Sequence, residues 1–329
     1  MQLILDSKGI IMRKRNGCFH LQTEKHERLI SPERVSSIAV TSNCMLSSAA
    51  IRLAIKHLIP IYLMGAFGNV EARLWSPSFG HLSTFRRKQV HFYESVLATK
   101  WVIDLFELKT SHQLDNLIFL KNRKIAQTKL IEHNCNQMEE LKLDFKYFAE
   151  QKLSECTSEM MGKEGIIARF YWGSLAVCMP DTLTFETRNR QPAEDNFNAA
   201  LNYVYGMLYG IVETAIFSVG LDPYLGFLHA DQYDKPTLSF DMIEPFRPWI
   251  DRLLIDLALK DELTPQCFMK SPTQANGVWL SSKGKQLIIP AFNAYLAEKC
   301  IFGDKIENRK THIYQFAFRL VKILDKFEK

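Results

Sequence analysis

The chain has 329 residues, of which 47% are hydrophobic, 23% charged and 12% aromatic. Its 15 glycines and 12 prolines are ordinary numbers for this length, so the composition excludes a collagen-like or disordered chain. The 41 Lys and Arg against 36 Asp and Glu give a net charge of +5, which permits an anionic partner but does not require one.

The cysteines and the apolar segments indicate the compartment. No two of the seven cysteines have the Cys-x-x-Cys spacing of a zinc knuckle or a redox dithiol, so we expect reduced cysteines and a cytoplasmic protein. Asp6 comes too early for the apolar core of a signal peptide. The uncharged segment 196–212 is short for a membrane span and contains Asn198 and Asn202, so it predicts a buried helix and no membrane partner.

The first 80 residues predict a β-rich domain, because short apolar runs alternate with turn residues. Asn16-Gly17 between two such runs is a strong hairpin signal, since both residues tolerate positive φ. A helix is predicted at 47–57. Strands are predicted around residues 3–5, 10–12, 18–21, 35–40, 59–64 and 70–75. We interpret residues 81–90 as a linker.

From residue 91 onward the chain shows long helical periodicity without alternating strands. We therefore predict an α+β fold in which a β-rich N-terminal domain (1–80) and a linker (81–90) precede a larger all-helical domain (91–329). The predicted helices include 117–131, 138–153, 164–178, 198–219, 245–260, 285–302 and 306–327. Clusters of Lys and Arg, densest at 305–329, suit a polyanion such as nucleic acid, although a solvated helix face is the simpler interpretation of any one cluster.

Common catalytic signatures are absent: the sequence lacks Gly-x-Ser-x-Gly, His-Glu-x-x-His and the phosphate-binding Gly-x4-Gly-Lys-Ser/Thr loop. Three other segments carry residues capable of chemistry. In the first, Glu164 is predicted to open an apolar helix that continues through Arg169 and Tyr171. Taken alone, this Glu is better explained as a helix-start acid favoured by the helix dipole.

The other two segments place a histidine and two acids. In segment 220–229, two glycines and a proline precede His229, which alone is better explained as a satisfied core histidine. Asp241 and Glu244 lie three residues apart in an apolar stretch, so they lie on one side if they share a helical turn. An N-cap and a first-turn acid for a helix at Pro245 is the alternative. When two acids lie so close together, the repulsion between their negative charges raises the pKa of one of them unless a cation compensates.

The three segments follow recognisable patterns. They read Glu-Gly-x-x-Ala-Arg-x-Tyr from Glu164, Gly-Leu-Asp-Pro-x-x-Gly-x-Leu-His ending at His229, and Ser-x-x-Asp-x-x-Glu-Pro-Phe-Arg-Pro around Glu244. An Arg-Asn-Arg-x-Pro block beginning at Arg188 lies between the first two. In this order the patterns resemble the CRISPR-associated spacer integrase family, the metal-dependent endonuclease-like proteins of CRISPR adaptation. The resemblance covers most of the chain.

The resemblance implies a metal site and its chemistry. It implies that Glu164, His229 and Glu244 are the metal ligands, and that Asp241 lies at the same catalytic site as a supporting or auxiliary ligand. Two carboxylates and an imidazole suit Mg²⁺ or Mn²⁺, and the lack of a cysteine ligand argues against structural zinc. The implied function is metal-dependent DNA integration, in which a DNA 3′-hydroxyl attacks a backbone phosphate and a spacer enters a CRISPR array.

The resemblance also suggests partners. It implies a homodimer and a small ferredoxin-like CRISPR-associated protein, which together form a larger adaptation complex on double-stranded DNA. Arginines beside the motifs can bind phosphate through two hydrogen bonds, although ion pairing with nearby acids is an equally good interpretation. The candidate DNA contacts are Arg169, Tyr171, Arg188, Arg190 and Arg247.

Two other function classes stay open. One is a helical DNA-binding module whose acids merely cap helices. The other is a metal phosphohydrolase acting on nucleotides, although the adjacent His-Asp pair expected of that class is absent. Retained strand transfer after Glu164→Ala would favour the first, and activity on mononucleotides rather than on duplex DNA would favour the second.

Overall fold

The computed structural model describes residues 2–23, 26–35, 37–64, 70–74, 82–123, 128–190, 192–229, 235–271 and 276–327. Over these ranges the chain is a mixed α+β protein, with a small strand region at the N-terminus followed by a mostly helical region. The fold class is confirmed at this level.

The N-terminal strands form two sheets. One has the order β1-β5-β7-β8, in which β8 is antiparallel to β7 and the other neighbours are parallel, and the second has the order β4-β3-β2-β6. These strands and the helix α1 enclose a core of their own. The strands are β1 (Gln2–Leu5), β2 (Ile11–Arg15), β3 (Cys18–Gln22), β4 (Glu27–Ile30), β5 (Ser37–Val40), β6 (Met45–Leu46), β7 (Ile61–Met64) and β8 (Val70–Leu74), and α1 is Ser48–Lys56.

The hairpin predicted from Asn16-Gly17 is confirmed. Both residues have positive φ, of 51° and 73°, and β2 pairs with β3 in an antiparallel register that brings Arg15 opposite Cys18. Positive φ at two successive positions gives the turn a twist that matches the twist of the flanking strands. The predicted strands and the helix at 47–57 are also present, with shifted ends.

The predicted linker, 81–90, is helical from Leu82 onward, as the first part of α2 (Leu82–Tyr93). The side chain of Gln89 on this helix is buried and hydrogen-bonds to the backbone of Asp222 and Leu225. This segment therefore packs against the helical region rather than crossing solvent. The two buried clusters, one in the strand region and one in the helices, are compatible with two domains, whose boundary near residue 80 stays a prediction.

The rest of the described chain is built from long helices around one apolar cluster. The helix α3 packs against the helices α4, α5 and α8 and against the turn at 244–246. These contacts make α3 the central element beneath the candidate site. The helices are α3 (Val96–Lys121), α4 (Thr128–Asp144), α5 (Leu153–Ala176), α6 (Asn196–Ser218), α7 (Thr237–Ile243), α8 (Arg247–Leu259), α9 (Ser282–Ala297) and α10 (Arg309–Phe327).

Two features of the helical prediction are wrong. The region is not all-helical, because it contains two short antiparallel hairpins. Their strands are only three or four residues long, and their apolar residues also fit the helical spacing of the neighbouring helices, so periodicity does not separate them. The hairpins consist of β9 (Phe268–Lys270), β10 (Val278–Leu280), β11 (Lys299–Phe302) and β12 (Lys305–Asn308). In addition, the predicted helix 117–131 spans the end of α3 and the start of α4.

The uncharged segment 196–212 lies in α6, and most of its side chains are buried in the helical core. Thr214 of the same helix shares a hydrogen bond with Tyr62 of β7, which ties the helical region to the strand region. In the part of the chain that the structure describes, no helix has the length and apolar character needed to cross a membrane.

Candidate metal site

Two carboxylates from distant parts of the sequence meet at one ammonium group. Glu164 lies in the middle of α5, and Glu244 lies in the turn that joins α7 to α8. Lys109 on α3 extends between them: its Nζ is 2.5 Å from Glu164 Oε1 and 2.6 Å from Glu244 Oε2. Two oxygens that contact the same nitrogen are close enough to share one cation.

The electrostatics of the site keep Glu244 ionised. Burial alone would raise the pKa of this carboxyl, but Arg247 and Lys109, with a smaller contribution from His229, lower the pKa to about 2. Arg247 Nη2 lies 3.2 Å from Glu244 Oε1. In the same way burial lowers the pKa of Lys109, while Glu244 and Glu164 raise it by more, so the lysine stays charged.

His229 reaches the site from the loop between α6 and α7, and Asp241 fixes its orientation. Asp241 is fully buried on α7, and its Oδ1 lies 2.7 Å from His229 Nδ1 and 3.2 Å from His229 N. Because a carboxylate oxygen accepts, Nδ1 carries the hydrogen, and in the neutral form of the ring the lone pair is then on Nε2. This arrangement is the one that orients metal-binding histidines in many proteins.

The other oxygen of Asp241 is also saturated. Oδ2 accepts hydrogen bonds from the backbone N–H groups of Phe227, at 2.6 Å, and Leu228, at 3.0 Å. With two donors on each oxygen, Asp241 has little capacity left for a metal ion. Its contacts therefore favour the supporting role over the auxiliary-ligand role.

The loop that carries His229 depends on a glycine. A Cβ at Gly226 would lie 2.6 Å from the backbone carbon of Thr237 and 2.7 Å from the backbone nitrogen of Leu238, so no larger residue fits without a shift. Gly226 N donates to Thr237 Oγ1 at 3.0 Å. This close approach of loop and helix brings His229 within reach of Asp241.

Two of the simpler interpretations of these acids are wrong. Glu164 is not a helix-start acid, because α5 begins at Leu153 and continues past it to Ala176. Asp241 is not an N-cap for a helix at Pro245, because it lies inside α7 and its side chain bonds to the 227–229 backbone instead. Neither acid is therefore explained by helix termini.

The residues present fit a divalent cation, although they do not form a finished cluster. In the described ranges, no three His, Cys, Asp or Glu side chains are already grouped to hold one ion. Lys109 lies between two of the predicted ligands. Glu244 Oε2 is buried, and in the described part of the chain its contact is the ion pair with Lys109. A buried carboxylate oxygen in this state suits a hard cation.

A second buried carboxylate lies next to the site, on α8. Asp251 accepts hydrogen bonds from the hydroxyl groups of Tyr171, at 2.9 Å, and Tyr205. Burial raises the pKa of Asp251 to about 6, and these hydroxyls and two arginines oppose the shift only in part. Tyr171 is fully buried in this cluster, so its contacts are internal ones, and a role in binding DNA stays a prediction.

The four arginines among the candidate DNA contacts fall into two groups. Arg169 and Arg190 are exposed. Arg188 is mostly buried and donates to the side-chain oxygens of Asn198, at 2.9 Å, and Asn202, at 2.7 Å. Arg247 pairs with Glu244 and donates to the Tyr209 hydroxyl, so for this residue the ion-pair interpretation is supported. The two exposed arginines remain predicted DNA contacts.

The sequence interpretation missed a polar stripe on α3. Lys109, His112 and Asn116 recur at helical spacing on the face that lies against the site. His112 Nδ1 donates to the carbonyl oxygen of Pro245 at 2.8 Å, and Asn116 Nδ2 donates to the carbonyl oxygen of Pro248 at 2.8 Å. These bonds fix the start of α8 and thus Glu244. The available signal was the recurrence of three polar residues at this spacing, which is weak because α3 carries other polar residues as well.

Comparison with known proteins places the chain in a family. The family model described as "CRISPR associated protein Cas1" matches residues 3–294. A curated relative from Archaeoglobus fulgidus, named CRISPR-associated endonuclease Cas1 1, is 26% identical over 278 residues, which are 81% of this chain and 80% of the relative.

Solved structures support the same fold. A CAS1 protein from Thermotoga maritima has a TM-score of 0.79 at 22% identity, with 98% of this chain and 96% of that chain covered. A casposase bound to an integration product has a TM-score of 0.78 at 24% identity, with 98% and 90% covered. A chain of a Cas6-RT-Cas1–Cas2 complex has a TM-score of 0.80 at 18% identity, with 99% and 35% covered.

Proposed function

The chain belongs to the Cas1 family of CRISPR-associated proteins, and from this premise we propose that it is a metal-dependent DNA endonuclease and integrase of CRISPR adaptation. The proposed reaction is the insertion of spacer DNA into a CRISPR array. A DNA 3′-hydroxyl attacks a backbone phosphate, one phosphodiester bond forms as another breaks, and the leaving 3′-oxygen takes up a proton. The exchange needs no further co-reactant.

The metal would be held by Glu164, His229 and Glu244. A bound Mg²⁺ or Mn²⁺ supplies Lewis acidity at the phosphate and stabilises the developing charge on the attacking and leaving oxygens. Glu244 provides a permanently ionised carboxylate, since its pKa is held near 2. Glu164, whose side chain is 26% exposed, provides the carboxylate nearest to solvent.

The neighbouring residues orient these three. Asp241 holds His229 with Nε2 available. Arg247 fixes one oxygen of Glu244 and is itself fixed by the Tyr209 hydroxyl at 2.6 Å. Such supporting contacts commonly change metal affinity by about 10- to 100-fold. We assign Asp241 and Arg247 as positioning residues.

DNA and protein partners are part of the proposal. The likeness to a casposase bound to an integration product supports double-stranded DNA as substrate, and the likeness to a chain of a Cas1–Cas2 complex supports a second CRISPR-associated protein as partner. We propose that this partner is small and ferredoxin-like, and that the chain acts as a homodimer within the complex. Arg169 and Arg190 are the proposed phosphate contacts of the exposed surface.

The observation that carries the proposal is the meeting of the Glu164 and Glu244 oxygens at one cation, beside a histidine whose free nitrogen is oriented by a buried acid. The test is the variant Glu164→Ala in a strand-transfer assay with Mn²⁺ and a DNA substrate. We expect transfer to be lost, by at least about 100-fold, while DNA affinity stays within a factor of a few.

The matched control is Glu159→Ala, which removes an exposed glutamate from the same helix. It should retain transfer. Retained transfer in Glu164→Ala would contradict the proposal and favour a DNA-binding module instead, and activity on mononucleotides but not on duplex DNA would favour a nucleotide phosphohydrolase.

A further inference from the structure

Lys109 has an environment that a surface lysine does not have. It is 9% exposed as a residue, and its ammonium group contacts a carboxylate oxygen from each of two helical segments. Among the contacts of the described residues, these two acids are the groups that its Nζ reaches. A buried ammonium group with two carboxylates within 2.6 Å occupies the position that a cation would take between them.

The charges explain why this position matters. Glu164 and Glu244 contribute two negative charges, and Lys109 and Arg247 contribute two positive charges, so the group is balanced. A divalent ion added to this balanced set would bring two further positive charges into a largely buried site, and the Asp241 carboxylate beside His229 offsets only one of them. One of the two basic side chains therefore has to leave when the ion binds.

The contacts identify which one leaves. Arg247 is anchored by Glu244, by the Tyr209 hydroxyl and by the rings of Tyr205 and Tyr209, which lie 5.4 and 5.8 Å from its guanidinium carbon. Lys109 has a flexible four-carbon chain and a single ammonium head. Its contact with Glu244 Oε2 is a single ion pair at 2.6 Å, which a divalent ion bound between the two carboxylates would replace.

We propose that Lys109 is an internal cation that occupies the space between Glu164 and Glu244 in the metal-free protein and is displaced when a divalent ion binds. This inference rests on the proposed function, because it assumes that the two carboxylates are metal ligands. The lysine stabilises the metal-free protein by compensating two acids, and it lowers the apparent metal affinity by competing for them. The displaced ammonium moves toward the more exposed side, where Glu164 meets solvent.

The test is Mn²⁺ binding, measured by electron paramagnetic resonance of free Mn²⁺ and by thermal unfolding with and without Mn²⁺. Lys109→Gln removes the competing charge, so we expect Mn²⁺ to bind about tenfold more tightly than in the wild type. We also expect a lower unfolding midpoint without metal and a larger upward shift with it. Equal or weaker Mn²⁺ binding by this variant would overturn the inference.

The control is Lys163→Gln, which has the same change of charge. Lys163 is adjacent to Glu164 but pairs with Asp144 at 2.9 Å, so its loss should change Mn²⁺ affinity by less than about threefold, through long-range electrostatics alone. An equal effect of the two variants would mean that net charge, and not the position of Lys109, governs affinity.

A second measurement uses the wild type and does not depend on the folding of a variant. Lysine modification by reductive methylation, read by mass spectrometry, should leave Lys109 protected without metal and modify it when Mn²⁺ saturates the protein. Unchanged protection would overturn the inference. If the wild type binds no Mn²⁺ at all, the proposed function fails as well, whereas Mn²⁺ binding with Lys109 unmoved overturns the internal-cation inference alone.

Discussion

Two buried carboxyl groups that lie close together in the sequence have pKa values shifted in opposite directions. Glu244 and Asp251 are seven residues apart in the helical stretch from α7 to α8, and both are almost wholly shielded from solvent. The pKa of Glu244 is lowered to about 2, whereas the pKa of Asp251 is raised to about 6. Burial raises the pKa of both carboxyl groups, so the groups that contact each one decide the direction of the net shift.

The partners differ in charge. Glu244 contacts Lys109 and Arg247 directly, while Asp251 contacts neutral tyrosine hydroxyls and is reached by arginines only at longer range. An acid kept ionised beside a displaceable ammonium can accept a metal ion, whereas an acid saturated by hydroxyls and close to protonation serves packing. The comparison separates a proposed binding position from a structural one, although both are buried acids.

The largest effect is expected at Asp241, the residue that orients His229. Asp241→Asn replaces an acceptor of four contacts by a group that presents two N–H donors, so at least two hydrogen bonds are lost. We expect the free energy of unfolding to fall by about 4 kcal/mol, because hydrogen bonds to charged groups are worth about 2 kcal/mol each. Urea unfolding measures this loss.

The control for that variant is Asp256→Asn, which removes a half-exposed ion pair with Arg252 at 3.4 Å. Its cost should stay below about 1 kcal/mol. Similar costs for the two variants would mean that Asp241 does not hold the His229 loop.

The next effect is a pH dependence of the free energy of unfolding, which comes from Asp251. A folded pKa of about 6 for Asp251, against an ordinary value of 3.8, means that the folded state binds a proton more tightly than the unfolded state. This contribution is fully present below about pH 4 and is lost as the pH rises through about 6, with an amplitude of about 3 kcal/mol. Asp251→Asn should remove this fall from the stability profile, as followed by urea unfolding across this range. An unchanged profile would contradict the assigned direction.

A smaller loss is expected where the loop meets α7. Gly226→Ala forces a Cβ to within 3 Å of the Thr237 backbone, so we expect a loss of about 2 kcal/mol in the free energy of unfolding. The matched control is Gly162→Ala in α5, where a Cβ meets nothing within 4 Å and helix propensity favours alanine by about 1 kcal/mol. Thermal unfolding should therefore move the two variants in opposite directions, and a neutral Gly226→Ala would show that the loop can relax.

The smallest effect is expected at the exposed arginines. Arg190→Ala should weaken DNA binding by less than about tenfold and reduce the dependence of log K on log salt by about one. Tyr171→Phe is the matched test of a buried candidate and should leave the salt dependence unchanged. An equal effect of the two would contradict the division between exposed and buried candidates.

The sequence predicted much of the fold because its signals are local. Asn16-Gly17 specified its turn through backbone preferences, and the uncharged run at 196–212 lies in a buried helix. The short hairpin at 299–308 was missed because four-residue strands carry too little periodicity to outweigh the adjoining helices. The predicted helix 117–131 instead merged the end of α3 with the start of α4.

The site was predictable only in part. The three motifs contain Glu164, His229 and Glu244, but spacing gives no distance between segments so far apart in sequence. Spacing alone suggested helix-terminal roles for Glu164 and Asp241, which the packing of α5 and α7 excludes. Lys109 carried no motif, because its role depends on which helices α3 touches.

The most direct test of the account is a crystal structure of the protein soaked in Mn²⁺, with anomalous diffraction to locate the ion. The account predicts one anomalous peak bonded to the side chains of Glu164, His229 and Glu244, with Lys109 withdrawn from between the two carboxylates. A peak elsewhere, or no peak with the Lys109 ion pairs intact at saturating Mn²⁺, would contradict it.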